Sequence, residues 1–210
     1  MKIELQNVSK IFDKTKVLQN VNLELQSGKI YGLIGRNGCG KSVLLKMICG
    51  FYEPSEGVIL FDGENIIREK KFPPKTRALI EKTHFLPDLT GLENLKLLAS
   101  IQKKIGEKEI LDTLKLVNLY EERNKKYHKY SLGMKQKLGI AQVLMEDPDV
   151  IILDEPFNGL DEDSISKIRN VLKEEKKRGK LILLATHLRE DIDSLCDEVY
   201  SLNGGTLKKI

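Results

Sequence analysis

The sequence predicts an α/β fold with a mixed sheet, an N-terminal antiparallel β part and an inserted α-helical segment. Three observations carry this reading. Gly35-Arg36-Asn37-Gly38-Cys39-Gly40-Lys41-Ser42 fits the pattern G-x-x-x-x-G-K-[ST]. It stands between a short apolar run at 29–34 and a helical pattern at 43–49 closed by Gly50. Val150-Ile151-Ile152-Leu153 is a run of branched apolar residues ending in Asp154-Glu155, which reads as a buried parallel strand delivering two acids at its C-terminal end. From about residue 85 to 145 the pattern is mostly helical, unlike its β-rich flanks.

Taken in order, residues 2–8 alternate, with Ile3, Leu5 and Val8 toward one side of an antiparallel strand. Ser9 to Lys14 reads as a turn carrying Phe12, an aromatic that suits either an adenine ring or the core. Residues 17–25 alternate again, and Ser27-Gly28 turns the chain into the strand before the glycine-rich loop. Residues 58–61 form a strand ended by Asp62-Gly63. A polar, proline-broken connector at 69–74 leads to a candidate strand at Leu79-Ile80-Glu81. Thr90-Gly91-Leu92-Glu93 is a capping box opening a helix with Leu92, Leu95 and Ala99, and 107–119 is a second amphipathic helix. A third helix follows Tyr130-Ser131-Leu132-Gly133-Met134-Lys135-Gln136-Lys137. After the acid-ended strand come Asn158-Gly159-Leu160-Asp161, a charged helix over about 161–178, a buried strand at 181–186 ended by His187, and a hairpin round Asn203-Gly204-Gly205.

The glycine pattern fits phosphate chemistry. A triphosphate is a dense polyanion, and Gly35, Gly38 and Gly40 let backbone N–H groups close round it without Cβ clashes. The following helix turns its positive end toward the same charge. Lys41 reaches the β- and γ-phosphates, and the Ser42 hydroxyl ligates Mg²⁺. This predicts a P-loop NTPase core.

Composition bounds the alternatives. A chain of 210 residues suits one large α/β domain or a core with an inserted subdomain. Lys+Arg 35 against Asp+Glu 31, interspersed, gives a net charge of +4 and no nucleic-acid footprint. The basic stretch 123–129 suits a solvated loop or a contact with anionic lipid or a partner. Cys39, Cys49 and Cys196 are widely spaced, which suggests neither disulfides nor zinc and fits a reducing cytosol. Neither a signal-peptide pattern nor an apolar run of the roughly 20 residues that span a bilayer is present, so a membrane role is borrowed from another chain.

Together the motifs resemble the nucleotide-binding subunit of an ATP-binding-cassette (ABC) transporter, over nearly the whole chain. Gly35 to Ser42 matches Walker A. Tyr130-Ser131-Leu132-Gly133-Met134 resembles the LSGGQ signature, and Ile151-Ile152-Leu153-Asp154-Glu155 matches Walker B with its following glutamate. Asn158-Gly159-Leu160-Asp161 resembles the D-loop, His187 the switch histidine, and Phe12 the adenine-stacking aromatic. The resemblance implies one domain over 1–210, with a catalytic core at 1–84 and 147–210 and a helical subdomain at about 85–146. It implies ATP and Mg²⁺ as cofactors. ATP is held by Phe12, Gly35, Arg36, Asn37, Gly38, Cys39, Gly40, Lys41, Ser42 and Val43, and Mg²⁺ by Ser42 and Asp154. Glu155 is implied as general base and His187 as its orienting partner at the γ-phosphate. Ser131, Gly133 and Asp161 are implied to meet the nucleotide of a second ATP-binding subunit, the same chain or a different one.

The implied partners are separate membrane-spanning permease subunits, with no nucleic acid. The implied place is cytoplasmic, peripheral at the inner face of the membrane. Two departures from the family pattern stand out. The signature keeps Ser131 and Gly133 in an S-x-G-M-K-Q form resembling cassettes that export peptides, antibiotics or other amphiphiles. Glu81 stands where the Q-loop usually has glutamine, either as a third Mg²⁺ ligand or as a surface acid. The rival readings are a non-transport ABC ATPase and a nucleotide-dependent regulatory module. The acids Asp154 and Glu155, with His187, oppose the second.

Overall fold

A computed structural model describes residues 1–210 except Lys70, Lys82, Thr83 and Leu188. Nine strands and six α-helices are formed by the described residues. Strands β1 (Lys2–Phe12), β2 (Thr15–Gln26) and β4 (Glu56–Phe61) make an antiparallel sheet in the order β2-β1-β4. The second sheet has six strands, in the order β5-β6-β7-β3-β8-β9. Its members are β3 (Ile30–Ile34), β5 (Thr76–Leu79), β6 (Val150–Asp154), β7 (Leu181–Thr186), β8 (Glu198–Asn203) and β9 (Thr206–Lys209). The first five strands in that order run parallel, and β9 is antiparallel to β8.

The apolar runs of β6 and β7 are explained by burial on both faces. Val150 and Ile152, with Leu181, Leu183 and Ala185, face a core shared with the antiparallel sheet and α1 (Lys41–Ile48). Ile151 and Leu153, with Ile182 and Leu184, face the opposite core beneath α2 (Gly91–Gln102), α3 (Glu107–Leu116), α4 (Leu132–Leu144) and α5 (Glu162–Lys177). Each of the valine, leucine and isoleucine side chains among them stabilises the fold by about 1.5–3 kcal/mol relative to exposure. The register pairs Asp154 with Ala185 and Ile34 with Thr186, so β6, β7 and β3 end level. The glycine-rich loop follows β3 at that same edge, where open parallel sheets bind their ligands.

Several sequence expectations are corrected. The predicted turn from Ser9 to Lys14 is strand as far as Phe12, and only Asp13 and Lys14, with φ of 43° and 69°, turn the chain. Bulges hide this from the sequence. Asn7 and Asn20 take positive φ, and the β1–β2 register shifts between Leu5 and Val8. Val8 thereby returns to the buried side with Ile3 and Leu5. The strand expected at Leu79-Ile80-Glu81 lies earlier, as β5 pairs with β6, and Glu81 is left-handed at φ 64°. The second helix stops at Leu116, short of the predicted residue 119, with Asn118 left-handed beyond it. Helix α6 (Arg189–Leu195) and a 3₁₀ turn at Tyr127–Lys129 lie outside the sequence reading. The basic stretch round that turn is tied to the start of α2, because Arg123 and Lys125 carbonyls accept from Leu92 and Gly91.

Candidate nucleotide site

The loop after β3 ends in α1, which differs at its start from α2, α4 and α5. Thr90, Ser131 and Asp161 each cap their own helix with a side-chain oxygen, whereas Gly40 precedes α1 with no side-chain cap. The first-turn N–H groups of α1 therefore face the cleft without such a partner, as an anion site requires. Gly38 and Gly40 have φ of 78° and 107°, which L side chains rarely adopt, so glycine is required for this curl. The cleft, about 320 Å³, is lined by Val17, Asn37, Gly38, Gly40, Lys41, Ser42, Val43, Asp154 and Glu155.

Within it, Lys41 Nζ donates to the Gly35 carbonyl at 2.6 Å and to that of Arg36 at 3.3 Å. Ser42 Oγ donates to Asp154 Oδ2 at 2.6 Å, although 112 residues separate the two in sequence. Next to Asp154, Glu155 Oε1 lies 2.8 Å from His187 Nδ1, and Thr186 Oγ1 lies 3.3 Å from both Glu155 Oε2 and Asp191 Oδ2. Asp191 is buried and held by Arg169 at 2.6 Å. Burial pushes the Asp154 carboxyl above its ordinary value of 3.8. The Ser42 hydroxyl and Lys41 pull it down, while the charges of Glu155 and Glu81 push it up.

The donor set suits Mg²⁺. Asp154 and Ser42 offer hard oxygens side by side at the cleft, and Mg²⁺ takes one or two protein oxygens together with phosphates and water. A divalent cation there would also reverse the burial cost of the Asp154 charge. Glu81 makes no hydrogen bond to this pair but lies near enough for its charge to act on Asp154. It is exposed and pairs with Lys46 Nζ at 2.5 Å.

A family profile described as ABC transporter matches residues 18–158. The chain belongs to the ABC transporter ATP-binding family. It is 41% identical over 206 residues to the ABC transporter ATP-binding protein YybJ of Bacillus subtilis, covering 98% of this chain and 94% of that one. It is 38% identical over 207 residues to the bacitracin transport ATP-binding protein BcrA of Enterococcus faecalis, covering 98% and 67%. A solved ATP-binding subunit of an ABC transporter superposes with a TM-score of 0.89 at 29% identity, covering 100% and 90%. This ABC subunit is an ATP-hydrolysing enzyme that powers transport together with membrane-spanning subunits. Among its own described residues no helix is long and apolar enough to cross a membrane.

The ABC fold brings Asn37, Gly38, Gly40, Lys41, Ser42, Val43, Asp154 and Glu155 to one cleft, with His187 on Glu155. Gly35 and Arg36 contribute carbonyls to Lys41, and Cys39 packs by Gly35. Phe12 packs edge-on to Tyr52 with ring centres 5.4 Å apart, and Lys10 Nζ stands 4.9 Å from the Phe12 centroid. Ser131 Oγ accepts from Met134 N at 3.2 Å, and Asp161 accepts from Ser164 N at 2.8 Å. Four site neighbours lie outside the sequence reading of the site: Val17, Thr186, Asp191 and Gln136. Only Gln136 carried any signal, by falling inside the signature stretch.

Proposed function

We propose that this subunit hydrolyses Mg·ATP at a site completed by a second ATP-binding subunit, and that the resulting opening and closing drives export. Lys41 and the loop amides bind the phosphates and stabilise the charge that develops on transfer. Ser42 and Asp154 hold Mg²⁺, which supplies charge neutralisation at the phosphates when bound. Glu155 takes the proton of the attacking water, and His187 orients that carboxylate. Glu81, paired with Lys46, acts through its charge unless it leaves that pair. Ser131 and Gly133 face the partner's nucleotide, and Phe12 stacks on the adenine after parting from Tyr52. The helical segment 85–146 is the unit that moves against the core, and the subunit sits at the inner membrane face through its permease.

The convergence of Ser42 at the start of α1 with Asp154, Glu155 and His187 at the ends of β6 and β7 supports this reading most. For the cargo, the S-x-G-M-K-Q signature and the bacitracin transport relative support a peptide, antibiotic or similar amphiphile. Glu155→Gln tests the chemistry. ATP affinity should persist, steady-state phosphate release should fall by at least about 100-fold, in line with loss of a general base, and ATP-bound dimers should accumulate in gel filtration. Brisk release by that variant removes Glu155 as base.

A further inference from the structure

We propose that Gln136 is a positioning residue for Glu155, a clamp that holds its backbone in the conformation aiming the carboxylate at the cleft. The proposal rests on the reading of Glu155 as general base. Gln136 Nε2, on α4, donates to the Glu155 carbonyl at 3.1 Å and the Pro156 carbonyl at 3.0 Å. Carbonyl oxygens only accept, so the amide nitrogen must face them and both its N–H groups are used.

The clamped backbone is under strain. Glu155 has φ 49°, in the left-handed region. Such a conformation costs a side-chain-bearing residue on the order of 1–3 kcal/mol and persists only where its surroundings over-determine it. Proline follows, and the residue before a proline is pushed toward extended backbone. Two anchors oppose that push. At one end Glu155 N donates to the Ala185 carbonyl at 2.8 Å. Pro156 has no N–H to add a second anchor of that kind. At the other end Gln136 holds both carbonyls, and Asn158 N adds a longer bond of 3.4 Å to that of Glu155. The conformation so held sets the Glu155 carboxylate beside His187 and Thr186.

The clamp also ties the carboxylate to the signature. Ser131 caps the helix that carries Gln136, and a Cβ on Gly133 would lie 2.7 Å from the Gly159 carbonyl. Helix start and acid-bearing loop are thus packed so closely that they shift together.

Gln136→Met keeps the length and removes the donor. In the full chain, steady-state phosphate release should fall by about 100-fold, the loss expected from an ångström of misplacement. KM and ATP affinity should change less than about twofold, because Gln136 is not among the cleft-lining residues. Since Gln136 acts through Glu155, adding Gln136→Met to Glu155→Gln should cost nothing further. Gln136→Lys restores a donor of similar reach and should recover most of the rate; it decides alone if the Met variant does not fold. An inactive Glu155→Gln beside a Gln136→Met variant within about threefold of wild type overturns the clamp but leaves the base reading intact. A Glu155→Gln variant with wild-type turnover overturns both. Loss of ATP affinity in Gln136→Met, or a Lys variant as slow as the Met variant, also overturns the clamp.

Discussion

Adding one methyl group at Gly133 separates intrinsic helix preference from packing. Alanine in place of glycine inside a helix ordinarily stabilises by at most about 1 kcal/mol. Here the added Cβ would lie 2.7 Å from the Gly159 carbonyl oxygen and 3.7 Å from Leu160 Cδ2. A relaxed carbon–oxygen contact is about 3.3 Å or longer, so helix and loop must part by roughly 0.6 Å. Overpacking of this kind costs about 1–3 kcal/mol. Packing therefore wins, and Gly133→Ala should be less stable by up to about 2 kcal/mol. At about 2–4 °C per kcal/mol for a chain of this size, Tm should fall by up to about 8 °C. The larger effect should be kinetic. The displaced loop runs on from Glu155, and an ångström of misplacement can cost about 100-fold, so a 0.6 Å shift should lower kcat by roughly 10-fold or more. Thermal melting and steady-state phosphate release, with ATP affinity from calorimetry, measure these quantities. A Gly133→Ala subunit as stable as wild type with kcat within about twofold would refute the packing argument.

Two further outcomes follow from the cleft. Lys41→Ala removes the one ammonium that lines it among the described residues, and calorimetry should then detect no ATP binding at concentrations that saturate wild type. Asp154→Asn should abolish Mg²⁺-dependent turnover while raising the apo melting temperature at neutral pH. The sign follows from burial: a carboxyl raised above 3.8 in the folded state favours its protonated form there, so its contribution to stability is full below about 3.8 and is lost as pH rises through the folded value. The asparagine advantage should therefore vanish in melts below pH 3.8, and an equal advantage at all pH values would contradict it.

What the sequence makes legible is what local chemistry dictates. The loop from Gly35 to Ser42 announces itself because Gly38 and Gly40 need positive φ and Lys41 must follow them. The Thr90 capping box forms as its spacing implies, with Glu93 and Thr90 exchanging hydrogen bonds. The acid-ended strand is legible because both its faces are buried. Phe12 reads as a turn residue because bulges at Asn7 and Asn20 break the two-residue alternation on which strand reading depends. Strand β5 escapes the apolar pattern because none of Thr76, Arg77 and Ala78 is fully buried, so pairing with β6 defines it. Gln136, Thr186 and Asp191 reach Glu155, Pro156 and Arg169 through long-range contacts, and of the three only Gln136 sits in a recognisable motif, which does not name its partner.

The two capping residues assigned to a partner's nucleotide are not equivalent. Ser131 accepts from Met134 N through its hydroxyl oxygen, and a hydroxyl that accepts still has a proton to donate. It can cap its own helix and meet a phosphate oxygen at once. Asp161 accepts from both Ser164 N and Ser164 Oγ, and these bonds hold its carboxyl below the ordinary aspartate range. An ionised carboxylate has only acceptors to offer and repels a phosphate. In the proposed two-subunit site Asp161 would therefore serve by fixing the start of α5, with Lys137 Nζ 3.9 Å away, and direct contact with a partner's nucleotide would fall to Ser131 and the amides behind it.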